Sequence, residues 1–141
     1  MSGPSRTLAA CWLTAIGAMV VLSGCGVGSP AEVGPATWAF APGQDIGPET
    51  SEFVAMVTEG ACASGQSSED RIAEQQLDLE PGRIVVTFRV RRLDGVQECP
   101  GNPPSAVQVD LGEPLGDRLL LDGGREPPAE PPVCANPDSC E

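Results

Sequence analysis

The 141-residue sequence contains no lysine, no histidine and no tyrosine. Each absence removes a chemistry. Without histidine there is no Ser-His-Asp or Cys-His catalysis, and the commonest transition-metal ligand is missing. Without lysine there is no Schiff-base nucleophile and no P-loop. Positive charge is scarce as well: eight arginines face twenty acidic residues, for a formal net charge of −12. Such a balance argues against nucleic acid and against a basic patch docking on anionic lipid. It suits a solvated acidic surface or a cationic partner. No C-x-x-C pair exists, so a cysteine metal site has neither its spacing nor a histidine to complete it. Asp110, Glu113, Asp117 and Asp122 lie close together near glycine, but without the spacing of an EF-hand loop. Paired carboxylates remain conceivable for glycoside hydrolysis, yet no helix or groove brings a particular pair together. The expectation is a protein that is not an enzyme and carries no metal and no cofactor.

Long apolar runs are also rare, and the one present is informative. Met1–Thr7 is short and polar with Arg6, and Leu8–Leu22 is an apolar run of 15 residues. That is too short to span hydrocarbon comfortably and fits the central part of an export signal. It ends in Leu22-Ser23-Gly24-Cys25. This string resembles the lipobox of bacterial lipoproteins: an aliphatic residue, two small residues, then cysteine. The resemblance implies cleavage of residues 1–24 and lipid on Cys25. Small side chains at Ser23 and Gly24 let an extended backbone enter the peptidase, and the Cys25 thiol accepts the diacylglyceryl group. Two acyl chains anchor stably where one does not. Residues after Cys25 are then expected on the extracytoplasmic face of the cell membrane. Loss of Arg6 leaves seven arginines against twenty acids, 7 − 20 = −13.

Residues 26–50 are rich in glycine and proline and break every period, so 25–50 is read as the lipidated cysteine and a flexible tether. Trp38 and Phe40 stand out within it. They could pack on the domain, sit at the lipid interface, or be a chance apolar patch. From Phe53 the pattern becomes β. Phe53–Thr58 has strand length. Residues 67–79 are ambiguous: Ser67 and Asp70 suit a helix start, while Gln75, Leu77 and Leu79 alternate as in a strand, which is favoured over 73–79. Glu80-Pro81-Gly82-Arg83 reads as a type II turn with Gly82 at positive φ. Ile84, Val86, Phe88 and Val90 then share one face of a strand over 84–92, closing a hairpin. Val107, Val109 and Leu111 mark another strand, and Leu119–Leu121 a last one after a turn at Gly116-Asp117. The expected fold is mainly β, a small antiparallel sheet or sandwich of about five strands over residues 51–124. Its core face takes Val57, Ile84, Val86, Phe88, Val90, Val107, Val109 and Leu120. Residues 125–141 read as a proline-rich extended tail.

Four cysteines remain beyond the signal. The simplest of their three pairings joins Cys62 to Cys99 and Cys134 to Cys140. So small a core benefits from such staples.

Cys99-Pro100-Gly101-Asn102-Pro103-Pro104 and Glu113-Pro114-Leu115-Gly116-Asp117-Arg118 are the most distinctive strings. Over roughly Cys62–Gly124 the chain resembles a group of uncharacterised actinobacterial extracytoplasmic proteins sharing a C-x-G-N-P-P loop and an E-P-L-G-D-R segment. The resemblance implies one domain and attaches no activity to it. Asn102 and Arg118 are the candidate binding residues, on the expectation that both loops meet at one end of the sheet. Rigid loops on a scaffold are where binding groups are placed. The competing reading of Arg118 is an internal ion pair with a nearby carboxylate. The function expected is a binding or interaction module touching an envelope protein or wall component. The alternative is a structural or assembly protein of the envelope with no specific ligand.

Overall fold

A computed structural model of the chain describes residues 32–138 and 140. The expected signal, lipobox and Cys25 lie outside the described residues. Six strands form one curled sheet: β1 (Val33–Phe40), β2 (Glu52–Glu59), β3 (Ile72–Glu80), β4 (Arg83–Arg91), β5 (Ser105–Asp110) and β6 (Leu119–Asp122). The order is β3-β4-β1-β2-β5, with β6 added beside β4. Neighbours are antiparallel except β6, which runs parallel to β4 from Arg83↔Leu119 to Val86↔Asp122. A short 3-10 turn, Glu69–Arg71, precedes β3.

The hairpin forms because alternation and turn agree. β3 and β4 pair from Glu80↔Arg83 to Ile72↔Val90, with a bulge between Ile72 and Glu74. Pro81 and Gly82 make the turn, but Gly82 is not among the positive-φ glycines, so it is not type II. Ile84, Val86, Phe88 and Val90 are completely buried, as their shared face demands. Val57, Val109 and Leu120 join them. Val107 is the exception in the expected core face. It packs against the core only partly buried, because β5 is an edge strand with no neighbour on its outer side.

The largest departure from expectation is β1. The segment read as structureless tether supplies the strand between β4 and β2, so the domain starts at Val33 and not at residue 51. Trp38 is 2% exposed and makes the centre of the core. Its ring lies 5.3 Å from those of both Phe40 and Phe53. The strand changes partner midway. Val33–Ala36 pair with β4, and Ala36–Phe40 pair with β2. Pro35 therefore sits where only one side of β1 has a strand neighbour, the position a strand proline tolerates.

Where β1 peels away from β4, β6 fills the gap. Gly123 N–H donates to the Val86 carbonyl and Trp38 Nε1–H donates to the same oxygen. A Cβ at Gly123 would collide with Thr87 Oγ1, and one at Gly124 with the Ala36 carbonyl. Glycine at both places is what lets the chain pass. The segment expected as an extended tail folds back on the sheet. Phe40 N–H donates to the Pro132 carbonyl and Cys134 N–H to the Phe40 carbonyl. Ala129 bridges Asp122. Ala39, Met56 and Cys134 thereby form a second, smaller apolar cluster on the face opposite the main core.

Candidate functional site

Both disulfides of the simplest pairing are present, with Cα–Cα distances of 4.6 Å for Cys62–Cys99 and 4.4 Å for Cys134–Cys140. The first ties the end of β2 to the loop before β5 and marks one end of the sheet. Ala36 pairs with both Glu59 and Phe88, so this end carries Val33, Glu59, Ile72, Arg91 and Ser105. The other end carries Phe40, Glu52, Glu80, Arg83 and Leu119. The Cys99–Pro104 loop and the Asp117-Arg118 turn therefore lie at opposite ends, and the expectation that they form one surface fails. The cause is simple: β5 separates them, and a strand carries its two flanking loops to opposite ends.

Arg118 is held within its own turn. Its guanidinium pairs with Glu113 at 2.6 Å and donates to the carbonyls of Leu115 and Pro114. The internal pairing is the observed one, and Arg118 stiffens the turn that leads into β6. It borders a cleft of about 410 Å³ with Phe40, Ile46 and Glu130.

Polar groups concentrate at the disulfide end. Buried polar side chains among the described residues are Glu59, Ser68, Ser105 and Asp122, and the first three meet there. Glu59 ends the core face of β2, where the next residue of the alternation after Val57 would be apolar. Its carboxylate is kept there by Arg71, whose guanidinium lies 2.6 Å from Oε2. Arg71 also donates to the carbonyls of Arg91 and Ser67. Ser105 Oγ accepts from the Ser68 backbone N–H at 3.1 Å and shares hydrogen bonds with the hydroxyls of Ser67 and Ser68. The 3-10 turn exists to deliver Arg71 and the serines to this place. Asn102 enters from the proline-fixed loop, and its amide donates to the carbonyls of Glu59 at 3.2 Å and Ala61 at 2.6 Å.

Two oxygens in this cluster are left over. Glu59 Oε1 and Asn102 Oδ1 are buried and meet no donor among the described residues. Such an atom costs on the order of 1–3 kcal/mol unless something donates to it. Glu59 and Asn102 line one cleft of about 280 Å³ beside Cys62 and Cys99. The arrangement is a set of acceptors awaiting donors. Asn102, singled out in the sequence, belongs to it; Arg118 does not. Glu59, Arg71, Ser68 and Ser105 escaped notice. Glu59 had one available signal, a charge at the inward position of an otherwise apolar alternation.

The fourth buried group, Asp122, is fully enclosed. Its carboxylate accepts from Trp38 N–H, Gly124 N–H and Arg125 Nε–H at 2.8–3.2 Å. Burial pushes its pKa above the ordinary carboxylate value, against those hydrogen bonds and Arg125, which pull it down. Among the described residues no group of three or more histidine, cysteine or acidic side chains is arranged to hold a metal ion. The chain matches no family model, no curated protein and no solved structure.

Proposed function

We propose that the chain is a lipoprotein held by acylated Cys25 on the extracytoplasmic face of a cell membrane, where the β domain acts as a binding or interaction module of the envelope. The observation that carries the anchor is the Leu22-Ser23-Gly24-Cys25 string directly behind a 15-residue apolar run. Two disulfides support an oxidising compartment. The cluster with unpartnered acceptors supports a binding role. A structural envelope protein is the second reading, favoured by the internal engagement of Arg118. Crosslinking on intact cells followed by mass spectrometry separates the two: a defined partner captured through the disulfide end supports the module, and its absence supports the structural role.

The anchor is tested by Cys25→Ser. The wild type is expected in the detergent phase on phase partitioning, with a mass showing loss of residues 1–24 and gain of acyl chains. The variant is expected in the aqueous phase. A variant that keeps the wild-type mass and partitioning overturns the lipoprotein reading.

A further inference from the structure

We propose that the cleft at the disulfide end binds a primary ammonium group, which donates to Glu59 Oε1 and Asn102 Oδ1. The ligand class follows from what the protein leaves undone. Glu59 has a 2%-exposed side chain, one oxygen held by Arg71 and one held by nothing. Asn102 has both amide hydrogens committed to backbone carbonyls and its oxygen uncommitted. Both uncommitted side-chain atoms are acceptors, so the group that satisfies them must bring its own hydrogens. An alkylammonium carries three N–H donors and no acceptor. An anion or a neutral acceptor would satisfy neither oxygen.

Charge and size agree with this choice. The protein as a whole carries −12, so cations are drawn to it. Arg71 offsets much of the Glu59 charge, so an added cation is held there by its hydrogen bonds more than by net charge. Asn102 is fixed by two hydrogen bonds and Cys99 by its disulfide, so the acceptors are preorganised and little ordering cost remains. A cleft of about 280 Å³ admits a small head group and not a folded side of another protein.

Location suggests the source, and this step rests on the anchor proposed above. Glu32 already hydrogen-bonds Arg92 at this end through its carbonyl. Only 32 − 25 = 7 Cα–Cα steps separate it from Cys25, a reach of at most about 25 Å. The cleft then lies on the membrane side of the domain, where ethanolamine head groups of lipid present primary ammonium. A soluble amine presents the same chemistry. Ordered water, which donates two hydrogen bonds, is the rival occupant.

The test uses the full protein in phosphatidylcholine nanodiscs, with backbone amide resonances of Gly60–Cys62 followed during titration with ethanolamine and, separately, with choline. Choline has the same charge and no N–H. Saturable shifts with ethanolamine and none with choline are expected, a comparison that needs no variant. Glu59→Gln and Asn102→Ala are each expected to weaken ethanolamine binding at least about tenfold, as loss of a charge-assisted or buried hydrogen bond implies. No saturable shift, or equal shifts with both cations, overturns the proposal and leaves the oxygens to water. Stronger retention on phosphatidylethanolamine than on phosphatidylcholine vesicles assigns the lipid as source; ethanolamine binding without that preference assigns a soluble amine. The titration with free ethanolamine, repeated on Cys25→Ser, does not depend on the anchor, so the two proposals fail separately.

Discussion

At the scale of the residue, Asp122 shows how a buried charge is made tolerable. β1 leaves β4 just before Trp38, and the Trp38 N–H loses its ladder partner there. The Asp122 carboxylate accepts it instead, and the same group accepts Gly124 N–H. Asp122→Asn keeps the shape but turns an N–H₂ toward one of those donors. It is expected to cost about 1–3 kcal/mol, read from the shift of a denaturation midpoint. The pH dependence has a definite sign. Burial raises the folded pKa above 3.8, so the folded state holds a proton that the unfolded state has released. The Asp122 contribution is therefore fully present below that value and is lost as pH rises through the raised one. Asp122→Asn is expected to remove this fall from the stability–pH curve above pH 3.8; an unchanged curve rejects the assignment. The disulfide pairing was legible in cysteine placement alone. Cys99→Ala is expected to cost roughly 4 kcal/mol, because the bridge closes a separation of 37 residues. Arg118 was legible as an internal pair, the favoured reading, and also as a contact; sequence alone did not decide between them, and the folded turn, with Glu113 at 2.6 Å, does.

At the scale of the element, alternation revealed β3, β4 and β5, short apolar runs revealed β2 and β6, and neither revealed β1. Gly34, Pro35 and Ala36 carry almost no hydrophobic signal, and the residues that do, Trp38 and Phe40, follow two strand breakers. Those breakers work because β1 is half-paired at Pro35, a fact of sheet topology that no local window contains. The tail was misread for a related reason. Its prolines rule out a long strand, but single bridges at Ala129 and Val133 need only one residue each. Two changes probe these elements. Gly124→Ala drives a Cβ into the Ala36 carbonyl, where backbone must move. It is expected to cost about 3 kcal/mol or more, with hydrogen exchange accelerating first in β6 and at Trp38. Deleting residues 126–141 exposes Met56 and Ala39 and frees both backbone groups of Phe40. Loss of at least about 2 kcal/mol is expected; a truncated chain as stable as the whole would mean that the tail is an appendage after all.

At the scale of the whole molecule, the sheet has two ends with different contents, and the anchor selects between them. The disulfide, the polar cluster and the entry of the chain share one end; Arg118 and a cleft of about 410 Å³ beside it lie at the other. β4 alone has nine residues, so about 30 Å separates the ends. If Cys25 carries lipid, a tether reaching at most about 25 Å favours approach of the near end to the bilayer over the far one. The absence of lysine turns this into a clean measurement, because one introduced lysine becomes the single side-chain amine. Val96 is fully exposed in the loop beside Arg92, and Leu119 is half-exposed at the far end. Val96→Lys and Leu119→Lys are labelled with an amine-reactive fluorophore, and any α-amino labelling is subtracted using the unsubstituted protein. Energy transfer to acceptor lipids in vesicles is expected to be stronger from position 96 than from 119, and to vanish for both in Cys25→Ser. Equal transfer would mean that the domain lies flat on the bilayer, and stronger transfer from 119 would mean that the chain reverses after the anchor. The second result would remove the membrane as the source of the ammonium group proposed for the Glu59–Asn102 cleft; the first would leave both ends in reach of head groups.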